Sequence, residues 1–420
     1  MELFQKKSQL PRRRKTLQVK VRNMHIGSDY PIAVQSMTDT STEDVRMTVS
    51  QITELYNVGS ELVRLAIPNV ASAKSVVNIR KELNELGYDI PLVGDFHYNG
   101  HKLLAEVNGC AASLDKLRIN PGNAGSKHDN DENFKTFIKI AKDYNKPIRI
   151  GVNYGSIDRD ILTKLTDANA RQKVPMPINA VAVEAVVESA VHAVDKAVEY
   201  GLEPNMIIVS AKLSDVNSTV TAYEALAERI KQPLHIGLTE AGVGLKGIVS
   251  TSVALSALLA EGIGDTIRAS LTPLQNGRTE EVKVCQNVLQ ALELRQFAPS
   301  ITSCPGCGRT NSTSYKNLAA DITRYLEKRL PEWRRLGYSG MEKMIVAVMG
   351  CVVNGPGESS HANIGISLPG SGENPICTIY ENGKVKESVR ESNAYNAFVA
   401  SIEDYVKRTY GRLNTKGISS

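Results

Sequence analysis

The pattern of apolar and polar positions divides this chain of 420 residues into two parts. Between residues 33 and 294, short apolar runs typical of buried strands alternate with longer segments whose apolar residues recur at helical spacing. The predicted strands are 33–37, 62–66, 92–97, 116–121, 147–153, 206–212, 235–239 and 266–271. Eight consecutive strand–helix units are typical of a TIM-like (β/α)8 barrel. A doubly wound open sheet is the main alternative, but eight uninterrupted units favour closure.

The alternation ends at residues 298–303, where proline and small polar residues predict a linker. Beyond it, helices predicted at 317–329 and 396–409 flank strands at 344–349, 363–368 and 376–380. We therefore expect an α/β protein with two domains. Residues 1–297 would form the barrel, with an N-terminal hairpin at 16–35, and residues 298–420 a smaller α+β domain.

Charged residues interrupt several of the predicted barrel strands. Alternate side chains of a barrel strand face the interior, and the outward positions must be apolar to pack on the helices. In Leu117-Arg118-Ile119, for example, this places the arginine inside. The same reasoning turns five cations inward: Arg64, Arg118, Arg149, Lys212 and Arg268. It also turns inward Asp95, His97, Asn153 and Ser270.

Five buried cations need compensating negative charge, because buried like charges are unfavourable. Asp95 and Glu240 are the only obvious internal carboxylates, so we expect a multiply charged anion, and arginine forks suit phosphate oxygens. Gly242, Gly244 and Gly247 follow the seventh strand, at the usual phosphate position of such barrels. The alternative is a structural network in which each arginine pairs with a carboxylate. Glu240 is a candidate proton donor or acceptor, or else a salt-bridge partner of Lys212.

The second domain carries a pattern of metal-binding thiols. Cys304-Pro-Gly-Cys307 places two thiols on one tight turn, and Cys351 follows an apolar strand. Three thiolates are one short of the usual set for an iron–sulfur cluster, and Glu358 is the nearest carboxylate. Asn354 lies in a Asn-Gly-Pro-Gly segment expected to form a rigid loop, and is a candidate hydrogen-bond donor to a substrate.

Two other functions fit parts of this pattern. A structural zinc site at the three cysteines predicts a second Cys-x-x-Cys or a His-x-x-x-His, and the sequence contains neither. A phosphate-handling lyase with a purely structural cluster is the second alternative. Cys110, Cys285 and Cys377 show no ligand spacing and are interpreted as buried thiols.

Composition excludes several classes of partner. The net charge of +5 and the aromatic content of 5% do not favour nucleic acid binding. No apolar run reaches the roughly 18 residues of a membrane helix, and the polar N-terminus does not resemble a secretory signal, so we expect a cytoplasmic protein. The basic run 11–15 is interpreted as a solvated arm. The basic stretch 324–343 is interpreted as a solvated face or, alternatively, as a docking site for an acidic electron carrier.

The motifs CPGCGR and GCVVNGPGE resemble those of the 4-hydroxy-3-methylbut-2-enyl diphosphate synthase family, the reductive iron–sulfur enzymes of the non-mevalonate isoprenoid pathway. The resemblance runs through essentially the whole chain. It implies a [4Fe–4S] cluster held by Cys304, Cys307, Cys351 and Glu358. It also implies a cyclic diphosphate substrate, 2-C-methyl-D-erythritol 2,4-cyclodiphosphate, bound by Arg64, Arg118, Arg149, Asn153, Lys212, Thr239, Arg268 and Ser270.

The resemblance further implies how the reaction proceeds. Flavodoxin or ferredoxin would deliver two electrons singly, the ring would open, and the C3 oxygen would leave as water, with Glu240 in an acid/base role. From their inward positions alone, Asp95 and His97 are candidates to position the substrate or relay protons, and a structural role is the alternative for His97. The family forms homodimers in which the cluster domain of one subunit caps the barrel of the other.

Overall fold

The structure is a computed structural model that describes residues 12–124, 130–157, 159–274, 277–310, 314–353 and 355–411. It contains two compact units, Met1–Arg295 and Gln296–Ser420. Among the described residues, no helix has both the length and the apolar character needed to cross a membrane.

The first unit is built around an eight-stranded parallel sheet. Its strands are β3 (Ala33–Met37), β4 (Leu62–Ala66), β5 (Leu92–Phe96), β6 (Lys116–Ile119), β7 (Ile148–Asn153), β8 (Ile207–Lys212), β9 (His235–Ile236) and β10 (Thr266–Ile267). They pair in the order β8-β7-β6-β5-β4-β3-β10-β9. A parallel bridge between Val209 and Leu234 links the two end strands. The barrel is therefore nearly closed, which confirms the predicted TIM-like fold.

Helices follow the strands as the periodicity predicts. They are α1 (Val45–Asn57), α2 (Val70–Glu85), α3 (Gly100–Glu106), α4 (Cys110–Ser113), α5 (Asn130–Asp143), α6 (Arg159–Ala170), α7 (Ile178–Glu199), α8 (Val216–Arg229), α9 (Gly244–Ala260) and α10 (Thr279–Ala291). Asp44, Asn69 and Asp215 cap α1, α2 and α8 by accepting from a backbone N–H three residues on. Helix α6 has no counterpart among the predicted elements.

A short hairpin closes the amino-terminal end of the barrel. Strands β1 (Val19–Val21) and β2 (Met24–Ile26) pair antiparallel, with the turn at Arg22, whose φ is +52°. Their buried residues pack on residues at the beginning of four barrel strands: Ala33, Leu62, Val93 and Ile208. The predicted hairpin at 16–35 is wrong in its pairing, because residues 33–35 belong to the barrel. Since apolar side chains fill this end, the carboxyl ends of the strands are the expected place for a polar site, as in other barrels of this kind.

The basic residues that precede the hairpin are anchored to the barrel. Arg13 pairs with the buried carboxylate of Asp265 at 2.7 Å. Arg14 donates to the carbonyl oxygens of Ile230 and Gln232, at 2.5 and 2.6 Å, just beyond the end of α8. The interpretation of this run as a solvated arm is therefore wrong for these two residues.

The second unit contains a five-stranded sheet in the order β11-β12-β13-β14-β15. The strands are β11 (Ser300–Ser303), β12 (Ile345–Met349), β13 (Ile364–Ser367), β14 (Ile376–Glu381) and β15 (Lys384–Arg390), and the helices are α11 (Ser314–Arg335), α12 (Gly355–Ser360) and α13 (Ala394–Thr409). Strands β11, β12 and β13 are parallel to one another. Strand β14 pairs antiparallel with β13 on one side and with β15 on the other. The core lies around Trp333 and Phe398, both fully buried.

Two loops predicted in this unit are regular elements. Residues 300–303, placed in a linker, form β11, which lies at the sheet edge where polar strand residues are tolerated. The expected rigid loop after Cys351 instead contains the short helix α12, which carries Glu358.

Candidate functional site

Four of the five predicted inward cations are buried in the barrel. The exposed fraction is 0% for Arg149, 2% for Arg118, 4% for Arg64 and 7% for Arg268. The fifth, Lys212, ends β8 and remains partly exposed. Arg118 lies beside Asp95 on one side and beside Arg149 on the other in the sheet register. The barrel therefore concentrates positive charge on neighbouring strands.

Asp95 is the carboxylate around which part of this charge is organised. Its Oδ1 lies 2.9 Å from Arg118 Nη1, and its Oδ2 lies 3.5 Å from Arg64 Nε. His97 Nε2 lies 2.6 Å from Arg118 Nη1. Burial alone would raise the pKa of Asp95, but the guanidinium groups of Arg64 and Arg118 outweigh it and hold that pKa well below its usual value. Asp95 is therefore an anion that fixes two cations, and one of them, Arg118, contacts His97.

Asp95→Asn should remove an acid-sensitive contribution to stability. Because the pKa of Asp95 is lower in the folded state, its contribution is fully present above the unfolded value of about 4 and is lost as pH falls below it. Urea unfolding between pH 7 and pH 2 should therefore show a smaller acid-dependent loss for Asp95→Asn than for the native chain. Asp29→Asn, at an exposed pair with Lys15, is the control. Equal pH slopes for the native chain and Asp95→Asn would contradict the role of this carboxylate.

Arg149 differs from the other arginines because nothing in the described part of the chain pairs with it. All three guanidinium nitrogens are buried without a hydrogen-bond partner there. Burial, reinforced by the neighbouring charges of Arg64 and Arg118, lowers its pKa well below the usual value. Among the predicted site residues and their strand neighbours, Arg64 Nη1, Arg118 Nε, Arg268 Nε, Ser210 Oγ and Thr239 Oγ1 are also buried without a partner in the described part of the chain. Such a set of donors has the chemistry required to bind a phosphorylated anion.

A further carboxylate reaches the barrel from a helix and was missed by the sequence reasoning. Glu281 of α10 is 2% exposed and lies 2.7 Å from Arg278 and 3.5 Å from Arg268. It also accepts from the Leu271 N–H at 3.1 Å. The expectation that Asp95 and Glu240 are the internal carboxylates is therefore wrong in two respects, because Glu281 is buried as well and Glu240 is exposed. The available signal was a glutamate four residues before Cys285, on the apolar face of a helix.

A narrow cavity without room for a water molecule lies beside these cations. It is lined by Lys212, Tyr223, His235, Gly237, Arg268 and Ser270. The Tyr223 hydroxyl donates to the His235 carbonyl oxygen at 2.6 Å, and His235 Nδ1 lies 3.0 Å from Thr266 Oγ1. Burial lowers the pKa of His235 well below its usual value, which favours a neutral imidazole. His235 thus belongs to the cavity wall, although the sequence indicated only the start of a strand.

The remaining predicted barrel residues lie near the carboxyl ends of the strands. Asn153 ends β7 opposite Lys212 in β8. Glu240 follows β9, is exposed, and has a φ of +54°, a conformation rare for glutamate. In the first turn of α9, a Cβ at Gly247 would lie 2.5 Å from the Gly242 carbonyl oxygen, so the helix packs closely on the loop before it. Backbone strain such as that at Glu240 is concentrated at functional positions.

In the second unit, the parallel strands bring two of the cysteines to one edge of the sheet. Cys304 follows β11 directly and Cys351 follows the neighbouring β12. The Sγ atom of Cys304 accepts from the Gly350 N–H at 3.3 Å. Cys351 is buried, Cys304 is half-buried and Cys307 is exposed.

Three thiols on two loops, two of them at the same end of the sheet, have the donor chemistry of a thiolate-bound cluster. Glu358, the only oxygen donor predicted as a ligand, is exposed on α12. Among the described residues, no three His, Cys, Asp or Glu side chains converge closely enough to hold a metal ion. Asn354 lies outside the described residues.

Much of the basic stretch 324–343 is used within its own unit. Arg329 pairs with Glu332 and with Glu403, the latter at 2.5 Å. Arg334 donates to the Phe297 carbonyl oxygen at 2.7 Å. Since these cations have internal partners, the stretch provides less free charge for an electron carrier than its composition indicates.

Comparison with known families and structures adds three findings. The family model described as the GcpE TIM-barrel domain matches residues 16–286, and that of the GcpE protein C-terminal domain matches residues 300–404. Dihydropteroate synthase from Xanthomonas albilineans in complex with 7,8-dihydropteroate is 11% identical, with a TM-score of 0.44 over 66% of this chain and 99% of that chain. 3-Dehydroquinate dehydratase from Geobacillus kaustophilus HTA426 is 13% identical, with a TM-score of 0.43 over 66% of this chain and 98% of that chain.

Proposed function

The chain belongs to the GcpE family, the 4-hydroxy-3-methylbut-2-enyl diphosphate synthases of the non-mevalonate isoprenoid pathway, and from this premise we propose the reaction and its residues. The substrate is 2-C-methyl-D-erythritol 2,4-cyclodiphosphate. Two electrons and two protons open the ring and release the C3 oxygen as water, leaving 4-hydroxy-3-methylbut-2-en-1-yl diphosphate. Residues 1–297 bind the substrate, and residues 298–420 bind the cluster.

The observation that supports this most directly is the guanidinium of Arg149, which is buried near other cations and has no hydrogen-bond partner among the described residues. A cyclic diphosphate supplies the negative charge that this position lacks, and bidentate arginine–phosphate hydrogen bonds satisfy the donors. Arg64, Arg118, Asn153, Lys212, Thr239, Arg268 and Ser270 complete the proposed substrate contacts. Asp95 and His97 both contact Nη1 of Arg118 and hold this guanidinium in position, so that its remaining N–H groups are available to the substrate.

Cys304, Cys307, Cys351 and Glu358 would hold a [4Fe–4S] cluster, which when bound supplies electrons one at a time. The carboxylate of Glu358 is a harder ligand than the thiolates, so the iron that it would bind differs from the three that cysteines would bind. Flavodoxin or ferredoxin is the proposed electron donor. A cytoplasmic location and a homodimer also follow from the family and remain predictions, the second testable by sedimentation.

The proposed reaction is tested by anaerobic turnover of the cyclic diphosphate with and without a low-potential reductant, together with iron and sulfide analysis. Product formation that requires the reductant supports the proposal. A phosphate-handling lyase would instead act without reductant, and a structural zinc site would yield zinc without sulfide.

Glu240 is the proposed proton donor or acceptor. Glu240→Gln retains the size and hydrogen-bonding capacity of the side chain but cannot exchange a proton, so we expect kcat to fall by roughly 10²–10⁴-fold with little change in KM. Glu261→Gln, at an exposed position just after α9, is the matched control. If Glu240→Gln turned over at the native rate, Glu240 would not transfer a proton in the slow step.

A further inference from the structure

We propose that the hydroxyl of Tyr315 donates a hydrogen bond to a sulfur atom of the iron–sulfur site and so acts as a positioning residue that raises its reduction potential. The inference rests on the proposed function, since it requires that the cysteines bind a cluster. It concerns a residue of α11 that belongs to neither cysteine motif.

The hydroxyl lies against the Cys304–Cys307 turn. Gly306, inside this turn, has a φ of +81°, and a Cβ built on it would lie 1.8 Å from Tyr315 Oη. The hydroxyl therefore packs directly on the backbone between the two cysteines. Glycine is required at this position for two reasons, because the conformation disfavours other residues and because the tyrosine occupies the space.

The same side chain also contacts the second cysteine segment. A Cβ on Gly350, immediately before Cys351, would lie 2.9 Å from Tyr315 Cγ. Thr310 also packs against Gly350 and exchanges hydrogen bonds with the backbone of Cys307, donating at 2.7 Å and accepting at 3.0 Å. Tyr315 thus spans both loops that carry the thiols.

The hydroxyl itself lacks a partner among the described residues, although the tyrosine is only 2% exposed. A buried hydroxyl without a hydrogen bond is unfavourable, and native proteins rarely retain one. The cysteine loops that it contacts carry sulfur atoms, and sulfur accepts hydrogen bonds from O–H groups. Hydrogen bonds to cluster sulfurs stabilise the reduced, more negative state, and so raise the reduction potential.

Tyr315→Phe provides the test, because it keeps the ring that packs on Gly350 and removes only the oxygen. We expect normal iron and sulfide content, a midpoint potential shifted to more negative values, and iron release to a chelator about tenfold faster. The cluster-free full-length chain should be as stable as the native chain or more stable, since a hydroxyl without a protein partner is lost.

Tyr325→Phe on the same helix is the matched control. Its hydroxyl bonds to Glu403 within the protein, so this variant should lower the stability of the cluster-free chain and leave the potential unchanged. An unchanged potential in Tyr315→Phe, with the cluster present, would overturn the inference alone. A cluster-free Tyr315→Phe that is destabilised or fails to fold would also overturn it, because the hydroxyl would then have a structural partner. Native protein without iron and sulfide would instead refute the proposed function itself.

Discussion

Arg149→Met is expected to stabilise the protein while largely abolishing its use of the cyclic diphosphate. The guanidinium is fully buried with no partner in the described part of the chain, so its desolvation is uncompensated in the ligand-free protein. Replacing a buried ion pair by apolar side chains of similar volume is often neutral or stabilising by about 1–4 kcal/mol, and we expect a gain within this range for Arg149→Met. Loss of a buried, charged hydrogen-bond partner of the substrate should lower kcat/KM by roughly 30- to 3,000-fold. Chemical denaturation and steady-state kinetics measure the two effects.

Arg80→Met is the matched control, since Arg80 is also buried but is fully paired. It lies 2.5 Å from Asp115 and donates to the carbonyl oxygens of Ser113 and Ile90. Its removal leaves Asp115 with one fewer partner and should destabilise by about 3–5 kcal/mol without a specific effect on substrate use. If Arg149→Met instead destabilised the ligand-free protein as much as Arg80→Met, Arg149 would be structural and the proposed substrate site would lose its main support.

Cys351→Ser should eliminate the cluster and reductive turnover together. The thiol follows β12 and lies beside the Cys304 loop, and a serine hydroxyl is not a thiolate ligand at neutral pH. We expect loss of the visible absorption and of iron and sulfide, and a fall in turnover of roughly a hundredfold or more.

Cys377→Ser separates this effect from the general loss of a buried thiol. Cys377 is fully buried in β14 of the same unit and is not part of the predicted ligand set. It should retain the cluster and the activity. If Cys351→Ser kept its activity after losing its colour, the cluster would be structural, and the lyase alternative would be favoured.

Several features of the fold follow from local sequence patterns. The alternation of strand and helix periodicity gave the eight parallel strands, and the boundaries of β4 are those predicted. The predictions were wrong where the local composition does not indicate which strands pair with each other. Residues 300–303 contain one strongly apolar residue yet form β11 at the sheet edge, and the N-terminal hairpin turns at Arg22, earlier than predicted.

The sequence by itself indicated that Arg64, Arg118, Arg149 and Arg268 are buried, because the alternation of faces along a strand is a local property of the backbone. It also determined the spacing of the thiols. Only the tertiary structure decided which buried charges are compensated. Arg268 meets Glu281, which comes from a helix, whereas Arg149 meets no carboxylate among the described residues. The position of Tyr315 between two cysteine loops was likewise decided by packing, since such contacts join residues far apart in the chain and leave no periodic signal.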